Sequence, residues 1–175
     1  MAETLQQAAL RIALTQLGVK EQPPGSNSGP EVSGYLFAVG LNPGYAWCAA
    51  FVYWCFLKAA ESLAIENPLC KTAGVLMHWN QAKGRGARLI TRAQALTNPA
   101  LIQPGQVMVM DFGGGKGHTG IVESVDAKTL TVTCIEGNTN AAGSREGIEV
   151  ARKTRRIATL KGFLDYSARA TGKLG

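Results

Sequence analysis

Cys48, His118, Glu136 and Asn138 together supply what nucleophilic acyl transfer needs: a thiol, an imidazole and a polar acceptor. The imidazole takes the thiol proton, and the acceptor fixes the ring tautomer. Cys48 follows the Pro43-Gly44 turn and opens the most apolar segment of the chain. That places its sulfur at a helix N-terminus, where unpaired N–H groups and the macrodipole favour a thiolate. His118 comes directly after the glycine run GGGKG and leads into a strand-like stretch, TGIVESV, so a rigid element should hold it at the mouth of a sheet. Glu136 and Asn138 close another strand-like run, IEGNTN. Period-two alternation puts the two on one face, and either could accept the imidazole N–H.

The other thiols and the other histidine read differently. Cys55 lies seven residues after Cys48 on the same helical face and has the character of a small buried apolar residue. The four cysteines, Cys48, Cys55, Cys70 and Cys134, form no CxxC pair, so free thiols are expected rather than a zinc knuckle or a disulfide framework. His78 sits between Met77 and Trp79 on the rim of a helical stripe and is expected to be structural. The glycine run is not a phosphate loop. Lys116 is followed by Gly117 rather than Ser or Thr, Met110 stands where the first glycine belongs, and a strand follows instead of a helix.

The elements that must position these side chains change type halfway along. Helices are predicted over residues 4–17, 30–39, from Trp47 through Leu57, and from Thr72 as N-cap to Lys83. The third of these is apolar on every side and belongs in the middle of a core. After Pro104-Gly105, short runs rich in Val, Ile and Thr at residues 107–112, 119–125, 130–135, 148–152 and 160–164 read as antiparallel strands. Helices first and strands second predict a single α+β domain over residues 1–175, with a buried helix packed on one small sheet.

The chain has 175 residues, 46% of them apolar and 17% charged, and no unbroken apolar stretch of about 18 residues, which excludes a fibre and a membrane span. The net charge of +6 biases the surface toward polyanions. The densest basic run, Arg152-Lys153-Thr154-Arg155-Arg156, lacks interleaved aromatics, so it reads as a solvated edge and no nucleic-acid partner is expected. Glu3, Gln6 and Gln7 stand where a signal peptide would carry basic residues, so synthesis without a leader, in the cytoplasm, is expected.

Four blocks carry a resemblance: EQPPGSNSGP from Glu21, YAWCAAFV around Cys48, GHTGIV around His118, and EGNT from Glu136. In order and spacing they resemble the CHAP family, cysteine- and histidine-dependent amidohydrolases/peptidases that cut peptidoglycan. The resemblance implies a papain-like α+β fold, with Cys48 as nucleophile, His118 as base, Glu136 orienting it and Asn138 as a further polar member. It implies bacterial peptidoglycan as substrate, and the basic surface would hold anionic wall polymers. Some relatives bind calcium near the nucleophile. Residues 41–47 contain no Asp or Glu, so no metal and no cofactor is expected here. A monomer is expected, acting in the periplasm or cell wall after phage lysis or delivery as an effector. Two alternatives stay open: a transpeptidase or other acyltransferase using the same residues, and an inert wall-binding module that keeps only the fold.

Overall fold

The computed structural model describes residues 3–139 and 147–167. Thr4 starts the first helix, α1 (Leu5–Thr15), by a capping box in which its hydroxyl accepts the Gln7 N–H while the Gln7 side chain reaches back to the Thr4 N–H. Ala8, Ala9 and Ala13 are buried along α1, and such small side chains let another helix come close. Pro30 occupies the first turn of α2 (Pro30–Ala38), where its missing N–H costs nothing.

Helix α3 (Cys48–Leu63) runs through the core: Phe51, Val52, Cys55, Phe56 and Ala59 are fully buried. Each of its two phenylalanines contributes roughly 2–3 kcal/mol by leaving water. Helix α4 (Val75–Ala82) begins after Gly74, not at Thr72 as predicted. The Thr72 hydroxyl accepts the Gly74 N–H and shapes the turn before the helix instead of capping it.

Among the described residues six antiparallel strands follow: β1 (Arg88–Thr91), β2 (Val107–Gly113), β3 (Lys116–Asp126), β4 (Thr131–Thr139), β5 (Glu149–Arg156) and β6 (Gly162–Asp165), in the spatial order β1-β6-β2-β3-β4-β5. Strand β1 and the short helix α5 (Arg92–Thr97) are additions to the sequence-based expectation. Asn140, at the end of one predicted strand, lies outside the described residues. The helices and strands are thus α+β, with an apolar layer on each face of the sheet. Val107, Val109, Ile121 and Ile135 meet α3 and its neighbours. Met108, Met110, Val122, Cys134 and Phe163 form the opposite layer, closed by Ala95, Ile157 and Leu160. Among the described residues no helix is long and apolar enough to cross a membrane.

Candidate active site

Cys48 is the first residue of α3 and is 3% exposed. No side chain caps that helix, so its first N–H groups are left to whatever lies against the sulfur. The preceding residue, Trp47, is locked from two sides. Its ring lies 5.7 Å from that of Tyr35, and its indole N–H donates to Glu21 Oε1 at 2.8 Å. Glu21 Oε2 accepts the Asn27 N–H at 3.1 Å, and Asn27 in turn accepts the Gly44 N–H on its carbonyl at 2.9 Å. The two turn-rich loops on either side of α2 therefore hold one another, and with them the start of α3.

His118 is the third residue of β3, opposite Met110 of β2. The glycine run is accordingly shorter as a loop than the sequence suggested, since Lys116 and Gly117 already belong to the strand. The ring is 1% exposed, and Nε2 donates to Glu136 Oε2 at 2.7 Å. That leaves Nδ1 for the thiol. Nδ1 completes no hydrogen bond, yet Cys48 acts on the ring by proximity and charge. Burial lowers the basicity of His118, but the interactions with Cys48 and then Glu136 outweigh it and raise the pKa to about 9.

Glu136, on β4, is fully buried. Burial pushes it toward the neutral form; hydrogen bonds from Arg155 and His118 overcome this and hold the carboxyl below its ordinary range. Arg155 of β5 is the residue that sequence reasoning missed. It does not belong to a solvated edge: its side chain is 14% exposed, and it grips the carboxylate with Nε to Oε1 at 2.8 Å and Nη2 to Oε2 at 2.6 Å. Its backbone pairs with Val132, so the side chain reaches forward along β4, toward that strand's C-terminal end, to meet Glu136. Arg152, in the same basic run, pairs with Glu123 at the surface instead.

Two glycines make the assembly possible. A Cβ at Gly120 would fall 2.6 Å from Glu136 Cγ, and one at Gly137 would fall 2.7 Å from the Trp47 ring and 2.8 Å from Phe51 Cβ. The first lets the carboxylate lie across β3; the second lets β4 press against the opening turn of α3.

Asn138 departs from the alternation expected of it. The β4–β5 register shifts between Glu136 and Thr139, and Asn138 adopts φ 53°, which Asn tolerates better than most residues. Glu136 alone of the two hydrogen-bonds His118. The Asn138 side chain, 1% exposed, lines a neighbouring cavity, and among the described residues its Oδ1 has no partner.

The remaining candidates separate clearly. His78 is buried against Tyr166, with Nε2 2.9 Å from the phenol oxygen, and burial together with Arg85 pushes its pKa down to about 4. Cys55 and Cys134 are fully buried, and burial pushes both thiols up. All four cysteines are free. A larger cleft of about 430 Å³, lined by Thr91, Arg92, Asp111, Leu160 and Lys161 among others, contains none of the four predicted residues, and its carboxylate is already paired with Lys161. Among the described residues no three His, Cys, Asp or Glu side chains cluster as a metal site requires.

Fold and site together define an α+β domain of the papain-like kind, with a helix-mounted thiol, a strand-borne imidazole and a buried carboxylate behind it. The family model described as the CHAP domain matches residues 40–138, more than half of the chain. The chain belongs to the CHAP family. Two solved structures share the fold. Ly7917 superposes with a TM-score of 0.52 at 17% identity, covering 91% of this chain and 61% of its own. A wild-type endolysin, LysIME-EF1, gives 0.54 at 16% identity, covering 97% of this chain and 67% of its own. This chain thus spans about three-fifths of the length of Ly7917. A search of curated proteins finds no match.

Proposed function

We propose that this domain is a cysteine amidase or endopeptidase that cleaves an amide bond in the peptide part of bacterial peptidoglycan through a thioacyl-enzyme. The observation that carries this reading is the imidazole held at Nε2 by the Glu136 carboxylate at 2.7 Å, with Nδ1 left for Cys48. The Cys48 sulfur attacks the scissile carbonyl carbon, and His118, as imidazolium, gives its proton to the leaving amine as the C–N bond breaks. The neutral ring then takes a proton from water, whose oxygen attacks the thioester and releases the acid and the thiol. Glu136, ionised because Arg155 and His118 both donate to it, keeps the ring in the productive tautomer throughout. The uncapped N–H of Cys48 is the natural donor to the developing oxyanion.

The endolysin among the fold relatives supports action at the wall, after phage lysis or effector delivery, and the net charge of +6 suits retention on anionic wall polymers. The test is mass spectrometry of muropeptides after digestion of purified walls. A gain of one water at an amide bond is expected, lost entirely in Cys48→Ala. A new amide instead of a free acid would make the enzyme an acyltransferase. An intact digest, together with a Cys48 that reacts with a thiol probe no faster than Cys55, would leave only a binding module.

A further inference from the structure

A cavity of about 270 Å³ is lined by Glu21, Gly25, Asn27, Ala46, Asn138 and Ile148 among others. Ala46 is two residues before Cys48, and Asn138 is two residues after Glu136. Two features of its wall are unusual. Glu21 is 2% exposed, yet both hydrogen bonds it accepts come from neutral donors, the Trp47 indole and the Asn27 amide. Among the described residues no Lys, Arg or His pairs with it; the adjacent Lys20 is turned to Glu149. Buried carboxylates ordinarily carry a cation. The second feature is Asn138. The β-bulge diverts it from His118 to this cavity, and among the described residues its buried amide oxygen has no donor. Asn138 itself forms part of the cavity wall. Native structures leave few buried acceptors unmet, and each one left calls for an explanation.

A carboxylate with lone pairs to spare and an unpaired amide in the wall of one cavity call for a group with several N–H donors and a positive charge. We propose that this cavity is a subsite for a primary ammonium group of the wall peptide, bound by Glu21 and Asn138 beside the scissile amide. The inference rests on the reading that the wall peptide is the substrate. It makes the enzyme selective for peptides whose amine near the cut is free, and discriminates against those in which the same nitrogen is already acylated in a cross-link. Neutralising that nitrogen removes the charge that Glu21 attracts and adds bulk that the cavity must take up.

The test uses the Cys48→Ala protein, so that binding is read without turnover. A lysine-containing wall tetrapeptide with free amines, and the same peptide acetylated on its amines, are titrated by NMR or calorimetry. The free-amine peptide should bind at least about 10-fold tighter, the scale of one charge-assisted contact in a desolvated pocket. Adding Glu21→Gln, which keeps an oxygen for the Trp47 indole, should shrink the preference to about 2-fold or less. Should that double variant fail to fold, the peptide comparison in Cys48→Ala alone decides. Equal affinity for the two peptides, no binding of either, or a full preference surviving in Glu21→Gln overturns the subsite. Wall digestion by the unmodified protein is scored separately. Digestion without amine preference removes the subsite and leaves the hydrolase, whereas amine preference without digestion removes the hydrolase and leaves the subsite.

Discussion

Replacing Arg155 by Met tests the buried charge arrangement most directly. The guanidinium is 14% exposed and the Glu136 carboxylate is fully buried, joined by two hydrogen bonds of 2.8 and 2.6 Å. Removing one partner of such a pair costs about 3–5 kcal/mol, because the other charge is left in a poor solvent. The residual exposure of Arg155 argues for the lower end, about 3 kcal/mol, which for a chain of this length lowers Tm by about 6–12 °C. The loss should be measured by urea and thermal unfolding in a double-mutant cycle of Arg155→Met, Glu136→Gln and both together, which isolates the pair from whatever else each side chain touches. A coupling of about 2–3 kcal/mol is expected, the double variant being more stable than the sum of the single losses implies. With the guanidinium gone, burial drives Glu136 toward its neutral form and its hold on the imidazolium weakens, so wall digestion should fall about 10–100-fold. Arg155→Lys restores charge without the fork and should lie between. A coupling within about 0.5 kcal/mol of zero would refute the reasoning, since it would mean that the pair is solvated rather than buried.

The two histidines should titrate on opposite sides of their ordinary value, near 9 for His118 and near 4 for His78, as followed by imidazole NMR. Because the folded pKa of His118 is raised, its contribution to stability is full below about 6.5 and disappears as pH rises through about 9. His78 is buried neutral, so folding loses about 2 kcal/mol between pH 7 and pH 5, and His78→Gln should flatten that acid slope. If acid stability is unchanged in His78→Gln, its burial as a neutral base is disproved. Gly137→Ala drives a methyl into Trp47 and Phe51; a cost of about 1–3 kcal/mol and a fall in wall digestion are expected, and a neutral outcome would show that β4 does not press on α3. A chelator should leave digestion unaffected, because residues 41–47 offer no carboxylate; loss in EGTA restored by calcium would contradict this.

Much of this arrangement was legible because chemistry and periodicity agreed. An all-apolar helix has to lie in the core, so a cysteine at its start has to lie where the core meets solvent, and the change of period after Pro104-Gly105 marked the sheet. What escaped had three physical origins. Strand β1 is only four residues long, too short for alternation to register, and the Thr91-x-x-Gln94 capping box opens a helix of only six residues after it. A bulge is invisible to alternation, which assumes a regular ladder, so Glu136 and Asn138 were placed on one face. Arg155 and Glu21 escaped because composition assigns charged residues to water. A guanidinium in a basic run and a carboxylate in a turn-rich segment are buried here only because each finds its partner far along the chain.

The thiol, imidazole, carboxylate and guanidinium occupy α3, β3, β4 and β5 in turn, and β5 is the margin of the sheet. Among the described residues the outer side of β5 is taken up by the 18–21 segment only at residues 148–150, well before Arg155. Sheet margins open locally at lower free energy than the centre. The last counter-charge of the series is thus anchored in the part of the sheet that loosens first. On warming, the imidazole is expected to lose its electrostatic support before the helical core melts, so wall digestion should fail at a lower temperature than the one at which the fold unfolds.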